Sequence, residues 1–209
     1  MMKLTELTHP LIQHKITMLR DNQTGIKEFR ELVQEISMLM WYEVTRELPT
    51  KEITIQTPIA ETNSKVISGV KLALIPLLRS GITMASGIEG IMPAIKIGHI
   101  GVYRQMDTLE PKVYYCKLPT DIERSTAVIL EPMPASGASV CSAIQILKER
   151  GVKDIKVMSL IASRQAVESI AEQYPETEMF VCAVDEDVNE QGYIVPGFGD
   201  AGDRMYGTK

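Results

Sequence analysis

The sequence predicts an α/β protein with a mostly parallel central sheet and helices on both of its faces. Five short apolar runs, LALIPLL (72–78), KIGHIGV (96–102), TAVIL (126–130), IKVMSLIA (155–162) and EMFVCAV (178–184), have the length and composition of buried strands. Helical patterns at about 82–92, 138–150 and 164–174 lie between most of them, and such alternation argues for a sheet covered on both sides. The chain has 209 residues, 44% apolar and 23% charged, a globular composition long enough for one sizeable core. A single domain over 1–209 is therefore expected, with a helical segment at about 9–48, a core at about 66–184 and a C-terminal segment at about 185–209.

Taken in order, residues 27–48 place Phe29, Leu32, Val33, Ile36, Met40 and Val44 at three- and four-residue spacings, the pattern of an amphipathic helix ending before Pro49. Met38, Leu39 and Trp41 widen its apolar stripe, so the helix is either sunk in its own core or covered by a second subunit. Residues 103–118, YRQMDTLEPKVYYCKL, read as two extended arms around a polar turn at Asp107 to Pro111, a protruding β-hairpin. Gly151 is placed to close the helix at 138–150.

Charge and motifs exclude several classes. With 22 Lys+Arg against 27 Asp+Glu, the chain has no general basic field for nucleic acid or an anionic membrane. The opening MMKLTELTHPLIQHK carries charges where a signal peptide needs an apolar segment, and no run is long enough to span a bilayer, so a cytoplasmic protein is expected. Cys116, Cys141 and Cys182 are odd in number and widely spaced, fitting small buried residues better than disulfides or a zinc site. No G-x-x-x-x-G-K-[ST] segment occurs. Gly197-Phe-Gly199-Asp-Ala-Gly202 matches G-x-G-x-x-G, but the seven residues after it are too few for a dinucleotide-binding helix and strand.

Ligands of open α/β sheets collect at the carboxyl ends of strands. TAVIL ends in one such loop, Glu131-Pro132-Met133-Pro134-Ala135-Ser136-Gly137-Ala138-Ser139, which leads into a helix near Gly137 with Ser136 or Ser139 as capping candidate. Small residues let backbone amides approach an anion, and the helix N-terminus adds a favourable field. Glu131 would repel a bare phosphate but would suit a ligand carrying both a phosphate and a ribose diol. By itself the segment is equally compatible with an ordinary strand-to-helix turn.

Six segments together resemble the uracil phosphoribosyltransferase family in its own order: HPLIQHKITMLRD, IPLLRSGITM, IGHIGVYR, YYCKLP, the loop from Glu131, and YIVPGFGDAGDRMYGTK. The resemblance implies a type I phosphoribosyltransferase fold with a C-terminal hood over the base. It implies conversion of uracil and 5-phosphoribosyl 1-diphosphate to UMP and diphosphate in pyrimidine salvage, with Mg2+ bound mainly through the diphosphate substrate. Carried onto this chain, Glu131 through Ser139 hold the 5′-phosphate and ribose, Arg79 and Arg104 the diphosphate, and Ile194, Gly199, Asp200 and Ala201 the uracil. Arg79, Arg104 and Asp200 are the implied catalytic residues, Asp200 also facing the phosphoribosyl substrate. A homodimer or higher homo-oligomer is implied, and some relatives respond to a purine nucleotide such as GTP.

The loop departs from the family's D-P-M-L-A-T-G-G-S at Glu131, Pro134, Ser136 and Ala138, and Arg79-Ser80-Gly81 replaces R-A-G. The longer Glu131 shifts a ribose contact, Pro134 removes an amide donor, and Ala138 adds a methyl where close approach or a positive φ is expected. Two functions stay open at this level: the working transferase, and a catalytically weak paralogue that binds nucleotide or phosphoribosyl ligands as a regulator or partner subunit.

Overall fold

The computed structural model describes residues 2–104 and 111–208, with Arg104 and Pro111 described by their backbone only. The chain opens with β1 (Lys3–Glu6), α1 (Pro10–Arg20) and α2 (Ile26–Val44), then a hairpin of β2 (Thr50–Gln56) and β3 (Glu61–Ile67). The core follows as β4 (Lys71–Leu78), α3 (Gly81–Glu89), β5 (Lys96–Ile97), β6 (His99–Arg104), β7 (Pro111–Lys117), a 3-10 turn at Ile122–Arg124, β8 (Ser125–Leu130), α4 (Ala138–Glu149), β9 (Asp154–Ser163), α5 (Arg164–Gln173) and β10 (Glu178–Asp185). A small pair, β11 (Asp187–Val188) and β12 (Ile194–Val195), precedes the last helix, α6 (Ala201–Tyr206).

The main sheet runs β1-β10-β9-β8-β4-β6-β7, with β5 also against β4. Its pairings are parallel except β6 with β7. Side chains of the central strands alternate between two apolar clusters. Leu74, Val128, Leu130, Met158 and Leu160 face the cluster shared with α1, α2, α3 and α6. Ala73, Ile75, Leu77, Ala127, Ile129, Ile155 and Val157 face the one shared with α4 and α5. Because both faces are covered, the period of two is masked, and these strands read as continuous apolar runs.

Several expectations change at the boundaries. The helix expected over 27–48 is α2 and stops at Val44, where the Thr45 hydroxyl bonds the Trp41 carbonyl at 2.7 Å and turns the chain toward β2. Trp41 is 3% exposed and packs in the chain's own cluster, so most of the wide stripe is covered from within, although Tyr42 beside it stays exposed. KIGHIGV is two strands split at Gly98, whose amide donates to the Leu74 carbonyl at 2.9 Å. The arms of the expected hairpin at 103–118 are the end of β6 and β7, antiparallel with a register shift at Gly101/Val102, and Asp107 to Glu110 of its turn lie outside the described residues. Hairpin β2–β3 was not foreseen: residues on both its faces are mostly exposed, so it lacks the buried stripe that marks a strand.

Candidate active site

The loop expected from the sequence leaves β8 where that strand lies between β4 and β9, with Leu130 opposite both Pro76 and Met158. Its outer side is fastened to β9. The Glu131 amide donates to the Met158 carbonyl at 3.2 Å, the Leu160 and Ile161 amides to the Pro132 carbonyl at 3.1 Å, and the Ser163 amide to the Pro134 carbonyl at 3.2 Å. The Ser163 hydroxyl donates to the Ala135 carbonyl and accepts from the Ala166 amide at 2.9 Å, joining the loop to the start of α5. With these bonds made outward, the inner side lines a cavity of about 150 Å³ formed by Glu131, Met133 through Ser139 and Val140. The first turn of α4 points its amides that way, which is the general geometry of an anion site.

The backbone relocates the strain expected at Ala138. Gly137 is the residue in the left-handed region, at φ 79°, and it occupies the N-cap of α4. A Cβ there would lie 3.0 Å from the Ala166 carbonyl oxygen and 3.3 Å from its Cα. Ala138 is already helical, so its methyl meets no such demand. Neither serine caps as expected: the N-cap is Gly137, and the nearest equivalent is a long 3.4 Å bond from the Ala138 amide to the Ser136 hydroxyl.

Glu131 stands at the base of this cavity. Its Oε1 accepts from the Met133 amide at 3.4 Å. Burial pushes its carboxyl up to about 7; the Met133 amide and the Ser80 hydroxyl oppose the rise, and the charge of Asp200 adds to it. Asp200 itself is the N-cap of α6, accepting from the Asp203 amide at 2.8 Å. Asp200 lies beside Arg79, since a Cβ on Gly202 would sit 3.2 Å from the Asp200 Oδ1 and 3.8 Å from a terminal nitrogen of Arg79. Arg79 leaves β4 with its guanidinium carbon 5.6 Å from the centre of the Tyr206 ring, while the Tyr206 hydroxyl donates to the Arg79 carbonyl at 3.0 Å. The Leu78–Arg79 and Val195–Pro196 peptide bonds are cis.

Ile194, Gly199 and Ala201 belong to a C-terminal segment held by two arginines. Arg20 at the end of α1 donates to both carboxyl oxygens of Asp185, at 2.7 and 2.8 Å, and to the Gly197 carbonyl at 2.9 Å. The Gly197 amide returns a bond to Asp185 at 2.9 Å. Burial would raise the Asp185 carboxyl, but Arg20 and that amide outweigh it and hold it below the ordinary range. Arg204 in α6 donates to the carbonyls of Leu19 at 2.7 Å, Phe198 at 3.1 Å, Asp21 at 2.6 Å and Thr24 at 3.3 Å, with its guanidinium 4.3 Å from the Phe29 ring centre. Between this segment and the start of α2 lies a larger cavity of about 510 Å³, lined by Gly199, Asp200, Tyr193, Thr24, Ile26 and Arg204 among others.

Arg79, the loop 131–139 and Asp200 thus converge at the carboxyl end of the sheet. Ile194 is buried in β12, and the Arg104 backbone pairs with Pro111 at the far edge. Sequence reasoning passed over Ser80, Tyr206 and the Arg20–Asp185 and Arg204 clasps. The one available signal was the hydroxyl in Arg79-Ser80-Gly81; Tyr206 and Arg204 belong to α6, and the Arg20–Asp185 pair joins α1 to β10 across 165 positions.

A family model described as uracil phosphoribosyltransferase matches residues 6–208. The chain is 54% identical over 203 residues to a uracil phosphoribosyltransferase of Thermoanaerobacter sp., covering 97% of each chain. Among solved structures, a protein of Aquifex aeolicus is similar at TM-score 0.90 and 34% identity over 99% of each chain. A hypoxanthine phosphoribosyltransferase of Staphylococcus aureus is similar at TM-score 0.53 and 16% identity over 76% of each chain, a likeness of fold.

Proposed function

The chain belongs to the uracil phosphoribosyltransferase family, and from that premise we propose that it transfers the phosphoribosyl group of 5-phosphoribosyl 1-diphosphate to N1 of uracil, giving UMP and diphosphate in pyrimidine salvage. The observation that carries the proposal is the convergence of the small-residue cradle, Glu131, Arg79 and Asp200 at the carboxyl ends of β4 and β8. The cradle suits a 5′-phosphate, and a Glu131 carboxylate at its base suits the ribose diol. Arg79, with Arg104, suits the diphosphate, because forked guanidinium groups neutralise a polyphosphate and stabilise the charge that grows as it departs.

Uracil offers an acceptor, a donor and an acceptor along one edge. Backbone groups of Ile194, Gly199, Asp200 and Ala201 can answer that edge without a specialised side chain, and they disfavour cytosine, whose N3 and N4 reverse two of the three positions. Holding both substrates in line is the main contribution of these residues to a displacement at C1 with oxocarbenium character. Asp200 borders the larger cavity and is felt electrically by Glu131, a position suited to orienting both substrates or managing the N1 proton. The Asp200 carboxyl, which borders the larger cavity, is a hard oxygen donor of the kind that suits Mg2+, which would be held mainly through diphosphate oxygens and waters and would offset the charge of the leaving group.

Two of the loop departures meet no conflict in the backbone, which supports the reading of turnover over binding alone. Pro134 is buried with its carbonyl bonded to Ser163, and Ala138 opens a helix without needing a positive φ. Assembly as a homodimer or larger homo-oligomer is supported by exposed apolar side chains on β2–β3, among them Ile59 at 92% and Ile67 at 53%. We place the enzyme in the cytoplasm and include GTP as a candidate effector. The test is UMP formation from uracil, 5-phosphoribosyl 1-diphosphate and Mg2+, with and without GTP, beside a Glu131→Asp, Pro134→Leu, Ala138→Gly variant. Turnover by the native chain supports the proposal; UMP from the variant alone would leave the native protein a phosphoribosyl binder.

A further inference from the structure

Gly202 and Tyr206 are four residues apart in α6 and so share one face of that helix. Arg79 lies along this face. A Cβ on Gly202 would stand 3.8 Å from a terminal guanidinium nitrogen, and the guanidinium carbon is 5.6 Å over the centre of the Tyr206 ring. The Tyr206 hydroxyl reaches past the ring to the Arg79 carbonyl at 3.0 Å, so one tyrosine meets both the backbone and the side chain of the arginine. Tyr206 is itself well anchored. Its neighbour Met205 is completely buried, its other neighbour in the helix, Arg204, is bonded to the carbonyls of Leu19, Asp21 and Thr24, and its ring packs against the cluster shared with α2. Arg79 is exposed, and a long exposed side chain samples many rotamers unless a neighbour holds it.

We propose that Tyr206 is a positioning residue that seats the Arg79 guanidinium against α6 and so presents its charge to the diphosphate of the phosphoribosyl substrate. The inference rests on the reading of Arg79 as a diphosphate-binding residue. An aromatic ring suits this task better than a carboxylate would. It attracts the cation without neutralising it and leaves the guanidinium N–H donors for an incoming anion. The hydroxyl adds a second restraint by fixing the carbonyl at the strand end from which the side chain springs. Gly202 leaves the guanidinium its room on the helix face. Because α6 starts at its N-cap Asp200, in the base segment, one six-residue helix joins that segment to the arginine. General loosening of α6 therefore disturbs uracil, whereas loss of the seat alone disturbs the phosphoribosyl substrate.

The experiment compares Tyr206→Phe, Tyr206→Leu, Arg79→Ala and the Tyr206→Leu/Arg79→Ala double variant with the native protein. Three readouts are taken: KM for each substrate, calorimetry with 5-phosphoribosyl 1-diphosphate, and NMR relaxation of the Arg79 Nε–H group in the ligand-free protein. Tyr206→Leu is expected to raise KM for 5-phosphoribosyl 1-diphosphate about tenfold, the combined scale of one hydrogen bond and one exposed cation–π contact. Tyr206→Phe keeps the ring and raises it about fivefold. KM for uracil at saturating phosphoribosyl substrate stays within about twofold in both, and in the Arg79→Ala background Tyr206→Leu weakens calorimetric binding by less than about twofold. The Arg79 Nε–H is ordered in the native protein and in Tyr206→Phe and mobile in Tyr206→Leu. A uracil KM that rises as much as the other, an equal penalty in both backgrounds, or equal Nε–H mobility in the native protein and Tyr206→Leu overturns the proposal. Should Tyr206→Leu not fold, Tyr206→Phe alone and with Arg79→Ala carries the kinetic and binding comparisons at its smaller scale. If Arg79→Ala leaves the calorimetric affinity unchanged, the diphosphate reading of Arg79 falls and the proposed role with it, while the relaxation data decide separately whether the tyrosine seats the guanidinium.

Discussion

Glu131 enters its site with an acid that burial holds near pH 7, and this has opposite consequences for stability and for binding. In the unfolded chain the group ionises from its ordinary value of 4.5, whereas in the ligand-free fold it keeps its proton to about 7. Its contribution to stability is thus undiminished below about 4.5, falls as pH rises to about 7, and is constant above. A Glu131→Gln variant should lose that slope in denaturation curves recorded across the interval. Binding runs the other way, since a diol needs the carboxylate as acceptor. KM for 5-phosphoribosyl 1-diphosphate is expected to rise toward tenfold per unit below about pH 7, with the part due to this residue missing from Glu131→Gln. Gly137 sets a second limit at the same scale. Gly137→Ala forces a side chain into the left-handed region at φ 79° and against Ala166, costing about 1–2 kcal/mol from conformation alone. A lower Tm and a raised KM for the phosphoribosyl substrate are the expected results.

At the scale of elements, α6 and the turn before it are kept over the sheet by bonds to the N-terminal helices. Asp185 is 8% exposed and accepts from both terminal guanidinium nitrogens of Arg20 as well as from the Gly197 amide. Removing it by Asp185→Ala leaves Arg20 partly buried without its counter-charge, a loss of about 3 kcal/mol. That corresponds to a fall in Tm of about 6–12 °C for a chain of this size. The KM for uracil should rise more than that for the phosphoribosyl substrate, because Gly197 leads into the base segment while the 131–139 loop is fastened to β9. Because Arg20 and the amide hold this carboxyl below its ordinary range, its stabilisation is present at neutral pH and fades as pH drops through the acid range. Apart from the short edge strand β1, the strands of the sheet and helices α3, α4 and α5 were legible in the sequence, since burial on two faces and helical periodicity leave strong local patterns. Hairpin β2–β3 and helix α6 were not: the first has no buried face, and the second is six residues long with glycines on either side.

For the whole molecule, the sheet is the frame that gives the site its geometry, and β4 is an inner strand of it. It pairs with β5, β6 and β8, buries Leu74 completely, and delivers Arg79 and Ser80 from its end. Leu74→Ala should cost about 3 kcal/mol by opening a cavity in the cluster shared with α2 and α3. Thermal unfolding checks that figure, and kcat measured well below the new Tm should fall too, because the strand end moves with its packing. The sequence by itself determined the layered α/β class, the family, and the segments from which site residues are drawn, because apolar patterning and contiguous motifs are properties of neighbours along the chain. Only the tertiary structure decided that Gly81 meets Leu130, that Asp200 lies near enough to act on the Glu131 carboxyl, and that Gly137 rather than Ala138 bears the left-handed turn. Those are relations between residues about 50 to 70 positions apart, or between one backbone angle and a helix packed against it, and they exist once parallel strand pairing brings the loop ends together.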